Sequence, residues 1–124
     1  MTPDSIKIDV GVQYLPQQTQ RDKHRFAFAY QITITNNGDR TAQLISRHWI
    51  ITDASNHRQE VQGMGVIGEQ PHIAPGESYQ YTSGAVLDTQ TGTMEGSYQM
   101  SCEDGLSLEV PIPLFLLAVP GSLH

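Results

Sequence analysis

Phe26-Ala27-Phe28-Ala29-Tyr30-Gln31-Ile32-Thr33-Ile34 alternates large apolar residues with small or polar ones at every second position. A period of two puts Phe26, Phe28, Tyr30, Ile32 and Ile34 on one face of an extended strand and turns that face toward a core. The run stops at Asn36-Asn37-Gly38-Asp39, residue types that reverse a chain.

Working outward, Ile6, Ile8, Val10, Val12 and Tyr14 repeat the pattern, and Pro16 to Arg25 reads as a polar loop. Leu44 to Thr52 predicts a third strand carrying the only tryptophan, Trp49. The turn Asp53-Ala54-Ser55-Asn56 and the arm His57 to Gln62 follow. Pro75-Gly76 turns the chain into Tyr79 to Ser83, and Ala85 to Leu87 reads as a short apolar patch. Thr91-Gly92-Thr93 precedes a strand over Ser97 to Cys102. Glu103-Asp104-Gly105 is a tight hairpin turn, after which Leu106, Leu108, Val110 and Ile112 alternate.

Seven or eight short antiparallel strands separated by turn signals predict an all-β fold: one two-sheet sandwich over residues 1–124. Trp49 stands where immunoglobulin-like domains bury a core tryptophan, and Gly96-Ser97-Tyr98-Gln99-Met100 resembles a tyrosine corner. Met100 occupies the place of the second immunoglobulin cysteine, and Cys102 is the only cysteine, so the expectation is a disulfide-free, fibronectin type III-like version. Pro111 and Pro113, two apart, turn their missing N–H groups to one side and predict an edge strand.

Composition agrees. The 124 residues are 38% hydrophobic but only 16% charged, against about 25% charged in an ordinary domain. Polarity comes from uncharged residues, which disfavours long solvated helices. The charge of −6 argues against a general nucleic-acid or anionic-membrane binder. Met1-Thr2-Pro3-Asp4-Ser5 has no signal-peptide pattern, and the longest apolar run, Val110 to Val119, is about half a membrane span. The expected compartment is the cytoplasm.

Gly63-Met64-Gly65-Val66-Ile67-Gly68 is a formal GxGxxG. Such a loop can cradle phosphate on backbone N–H groups, and Arg47, His48, His57 and Arg58 on the preceding hairpin bring positive charge near it. A dinucleotide site needs a helix behind the loop; here Pro71 and Pro75 forbid one, and Glu69 repels anions. The simpler reading is a crossing between sheets whose glycines take positive φ. The candidate ligand-binding set is Gly63, Gly65, Gly68, Arg47, His48 and His72.

None of His24, His48, His57, His72 or His124 has a second His or Cys three or four residues away. Scattered histidines are the simpler reading, with a labile divalent-metal site at His72, Glu69 or Asp53 as the alternative. Ser83-Gly84 lacks a nucleophile elbow, and Glu60, Glu69, Glu77 and Glu95 lie near turns or strand ends. Glu103 and Asp104 raise the pKa of the Cys102 thiol, which points to a buried strand cysteine rather than a nucleophile. In Leu114-Phe115-Leu116-Leu117 alternation stops. Either the run closes one end of the core, or it is an exposed patch that pairs with a partner protein or a second subunit.

Arg47-His48-Trp49-Ile50-Ile51-Thr52-Asp53, Val61 to Pro71, Pro75-Gly76-Glu77, Tyr81-Thr82-Ser83-Gly84, Gly92 to Tyr98 and Ile112-Pro113-Leu114-Phe115 together resemble the ApaG family, over about Ile6 to Leu117. His57 fills a turn slot where that family more often has glycine. The resemblance implies a fibronectin type III-like sandwich in a short, cytoplasmic bacterial protein. It also implies a link to cobalt resistance and magnesium efflux, protein-interaction roles like those of related domains in F-box proteins, and nucleotide or pyrophosphate binding at the GxGxxG. The resulting expectation is a non-enzymatic binding module for a protein partner, without a required cofactor. The alternative is a nucleotide or pyrophosphate binder, with or without a divalent metal.

Overall fold

A computed structural model describes residues 1–122. Eight strands form: β1 (Ile6–Tyr14), β2 (Phe26–Asn36), β3 (Ala42–Asp53), β4 (Arg58–Met64), β5 (His72–Ile73), β6 (Ser78–Leu87), β7 (Thr91–Cys102) and β8 (Ser107–Ala118). One sheet has the order β1-β2-β6; the other has the order β4-β3-β7-β8, with β5 also on β3. All pairings are antiparallel. The inner faces meet over Phe28, Ile32, Ile34, Leu44, Tyr98 and Leu117, all buried. Trp49 packs edge-on against Tyr30, Tyr98 and Phe115.

The expected two-sheet sandwich forms, with local corrections. Ala85 to Leu87 is no separate patch: β6 runs unbroken through Gly84. β7 begins at Thr91, and β5 was not expected. β8 ends its sheet as its prolines require. Alternation does not stop at Pro113; it changes phase. Ile112 pairs with Gly96 and Phe115 with Met94, so Glu95 faces two residues, Pro113 and Leu114. That is a β-bulge, and one extra residue exchanges the two faces of the strand. Before it Leu108, Val110 and Ile112 are buried; after it Phe115 packs on the core and Leu117 and Val119 are buried. Leu117 is therefore part of the chain's own core, and Phe115 packs one side of its half-buried ring against it. Leu114 and Leu116 point outward, 58% and 46% exposed.

The tyrosine corner does not form. The Tyr98 hydroxyl pairs with that of Tyr81 across the core instead of with backbone. Burial pushes both phenols well above the usual tyrosine range, and the nearby Arg47 charge offsets this only in part. Two of the five tyrosines should therefore stay protonated in the native state. A titration followed by tyrosinate absorbance is expected to show at most three ionising before alkaline unfolding. Above the unfolded value of about 10 the native state holds more protons than the unfolded one, so stability falls as pH rises.

Candidate functional site

The glycine motif is the tip of a hairpin fixed to β3. A second bulge makes this attachment: Leu44 pairs with Met100 and Ser46 with Gln99, which leaves Ile45 outside the ladder. The Ile45 carbonyl accepts the Gly65 N–H at 2.7 Å and the Gln70 Nε2 at 2.8 Å. The bulge also shifts the inward positions from Leu44 to Trp49, so Arg47 and His48 leave the sheet on opposite faces.

Arg47 lies over Gly63, directly opposite it in the ladder. Its Nη1 donates to the carbonyls of Met64 at 3.1 Å and Gly65 at 2.8 Å. A Cβ at Gly63 would stand 2.8 Å from the guanidinium carbon, so an alanine there would turn the side chain away. Among the described residues no carboxylate lies within ion-pair distance of Arg47.

Beyond Gly65, Val66 and Glu69 exchange two backbone hydrogen bonds, at 2.8 and 2.9 Å. The two residues between them, Ile67 and Gly68, both have positive φ, 43° and 79°. This is the two-residue hairpin turn of primed type, in which Asn-Gly is the preferred pair. Val66 is buried, whereas Met64 and Ile67 are 66% and 58% exposed. The Tyr79 hydroxyl donates to Glu69 Oε2 at 2.8 Å, and burial, then the Glu69 carboxylate, raises its pKa.

Of the candidate set, the structure brings Arg47 to Gly63 and Gly65 and puts Gly68 at the hairpin tip. His48 faces the other side, 3.2 Å from Glu60 Oε2, above two adjoining hollows of about 490 and 500 Å³ that share His48, Ser97 and Glu109. His72 is exposed on β5, opposite Gln43. The Gly65 amide is spent on the Ile45 carbonyl of β3 and those of Val66 and Glu69 on each other's carbonyls, so a phosphate cradle has fewer donors than the motif suggests. Among the described residues no three His, Cys, Asp or Glu side chains converge as metal ligands. Asp53 instead accepts the N–H groups of Ser55 and His57, and Glu69 is held by Tyr79. His124 lies outside the described residues. Cys102 is buried on β7, and burial, then Asp104, raises its thiol pKa. The anchors that sequence reading missed are Ile45, Gln70 and Tyr79. The shift of inward parity between Leu44 and Trp49 was the available signal for the first.

A disulfide-free β-sandwich with an arginine-pinned glycine hairpin on one sheet edge defines the class. Residues 16–102 match the family model described as the ApaG domain. The chain is 54% identical to Protein ApaG of Pseudomonas paraeruginosa over 123 residues, 99% of this chain and 98% of that protein. It is 55% identical to Protein ApaG of Azotobacter vinelandii over the whole of both chains. A crystal structure of the putative ApaA protein of Bordetella pertussis superposes with a TM-score of 0.91 at 49% identity, covering 94% of this chain and 95% of that one. The chain belongs to the ApaG family. Among the described residues no helix is long and apolar enough to cross a membrane.

Proposed function

We propose that this chain is a non-enzymatic binding module that presents the 64–70 hairpin to a protein partner. One observation carries the reading: Ile67, a β-branched residue, sits at φ 43° with more than half of its surface in water. Positive φ at such a residue is strained, by about 1–3 kcal/mol, and strain of this kind collects at functional positions. The fold alone would be better served by asparagine in place of this isoleucine, which would complete the preferred Asn-Gly pair. Ile67 and Met64 instead stand exposed on a hairpin held by Arg47 and Gln70, a rigid apolar tip of the kind that anchors interfaces. The cobalt and magnesium link that the family resemblance implies would then run through the partner.

Ile67→Asn tests this in two directions. Unfolding stability is expected to rise by about 1 kcal/mol as the strain is relieved. A photo-crosslinking residue at position 64 is expected to give one discrete protein adduct in growing cells, and Ile67→Asn should remove most of it. The same crosslinker at Leu106, 52% exposed on another turn, is the control. An adduct that survives Ile67→Asn would overturn the reading, as would none at all.

The second reading, nucleotide or pyrophosphate binding, is favoured by the carboxylate-free Arg47. Titration with ATP, pyrophosphate and Mg²⁺ separates the two. Saturable amide shifts confined to residues 63–72 would support the second reading; diffuse shifts lost at moderate salt would remove it.

A further inference from the structure

Four long strands end the two sheets: β1 and β6 in one, β4 and β8 in the other. Exposed strand edges invite pairing, and proteins guard them with charge, proline or bulges. Three are guarded here. β1 carries Lys7 and Asp9, β4 carries Arg58 and Glu60, and β8 carries Glu109, Pro111, Pro113 and a bulge. β6, Ser-Tyr-Gln-Tyr-Thr-Ser-Gly-Ala-Val-Leu, has none of these over ten residues.

Its hydrogen bonds can be followed along the ladder. The Asn36 N–H donates to the Glu77 carbonyl, and the Asn37 N–H donates to Ser5 on the other side. Even-numbered β2 residues therefore bond toward β6, and the partners of the odd ones on β6 do not. The free N–H and C=O groups of β6 are those of Ser78, Gln80, Thr82, Gly84 and Val86, and all five residues are exposed.

We infer that β6 accepts an extended strand from a partner protein, one with an uncharged middle and lysine or arginine at its ends. Charge selects this occupant. Glu77 and Asp88 flank β6, and neither has an ion-pair partner among the described residues. A second copy pairing antiparallel about Thr82 would set Glu77 of one chain opposite Leu87 of the other, one residue from its Asp88, and so gather two carboxylates at each end, whereas basic ends are attracted there. A side-chain site lies on the same flank. A hollow of about 340 Å³ opens between the sheets, lined by Ile51, Val86 and Leu87 together with Asp53 and Asp88. His57 and Arg58 also line it, but they face Asp53 and Glu60, at 3.4 Å each, which leaves Asp88 for an incoming cation. An inward side chain of the added strand, apolar in its stem and cationic at its head, fits this hollow. Main-chain bonds would supply affinity and the hollow specificity.

The probe is acetyl-Lys-Thr-Val-Thr-Val-Thr-Val-Thr-Lys-amide, compared with the same peptide ending in glutamates. Saturable amide shifts confined to residues 78–88 are expected, with hydrogen exchange at Gln80, Thr82 and Gly84 slowed at least about tenfold. The glutamate-ended peptide should bind at least about tenfold more weakly. Thr82→Pro removes an outward N–H and no internal bond, and should abolish binding; Thr82→Lys, harmless to the fold, should weaken it about tenfold. Unchanged exchange at these amides, equal binding of both peptides, or shifts at 64–70 would overturn the proposal. So would the same shifts on concentrating the protein alone with a dimer in sedimentation, since the occupant would then be a second copy.

Discussion

Gly96→Ala is expected to cost more than about 4 kcal/mol and to leave little folded protein. Gly96 lies in the middle of β7, opposite Trp49. A Cβ there would overlap the His48 carbonyl oxygen and come within 3.0 Å of that carbonyl carbon and 3.2 Å of the Trp49 Cα. All three are backbone atoms of the neighbouring strand, so no side chain can swing aside. Relief requires β3 and β7 to part at the point where Trp49 packs on Tyr30, Tyr98 and Phe115. Close-packed cores transmit such a displacement instead of absorbing it. A total stability of about 5–15 kcal/mol leaves little margin. Gly11→Ala is the control: on edge strand β1 its Cβ would meet nothing within 4 Å, and the expected change is within about 0.5 kcal/mol. Urea unfolding followed by the single tryptophan measures both. A Gly96→Ala midpoint close to wild type would show that the strands separate freely.

What sequence made legible, and what it hid, divides along local against non-local determinants. Strand β2 could be read because alternation is a local property and both its neighbours complete the same face. The C-terminal run looked two-sided only because the parity of its inward residues changes at Pro113-Leu114. Leu108, Val110 and Ile112 are even, while Phe115, Leu117 and Val119 are odd. The same shift from Leu44 to Trp49 marks the bulge at Ile45, and it decides that Arg47 turns to the glycine hairpin while His48 turns away. Alternation can therefore locate a bulge when parity is followed across the break. The Tyr98–Tyr81 contact and the docking of Gln70 on Ile45 join residues 17 and 25 positions apart, and neither has a local signal. The candidate ligand set was scattered for the same reason: proximity along the chain says nothing about which face a side chain leaves.

Asn36→Asp should nearly abolish folding at neutral pH while being tolerated in mild acid. Asn36 ends β2 and is fully buried, although its Asn-Asn-Gly-Asp context reads as an exposed turn. Its Nδ2 donates to the carbonyls of Arg40 at 2.7 Å and Ile73 at 2.8 Å, and its Oδ1 accepts the Gly38 N–H at 2.9 Å. The side chain thus ties the β2–β3 turn to β5. Aspartate keeps the shape and loses both N–H donors. When protonated it can still donate once, so at low pH the cost is one buried hydrogen bond, about 1–3 kcal/mol. When ionised it would face two carbonyl oxygens in a fully buried position, so its folded-state pKa must lie well above the unfolded value of about 3.9. Between those two values the unfolded chain has released its proton and the native chain still holds it. Stability therefore falls as pH rises, by about 1.4 kcal/mol per unit, or about 4 kcal/mol more from pH 4 to pH 7. Denaturant midpoints for wild type and variant at pH 4.5 and pH 7 isolate this term, because the other carboxylates are common to both. A wild-type-to-variant difference that stays constant between the two pH values would mean that water reaches position 36, or that the turn moves away from β5, and the buried tie would then not hold the two segments together.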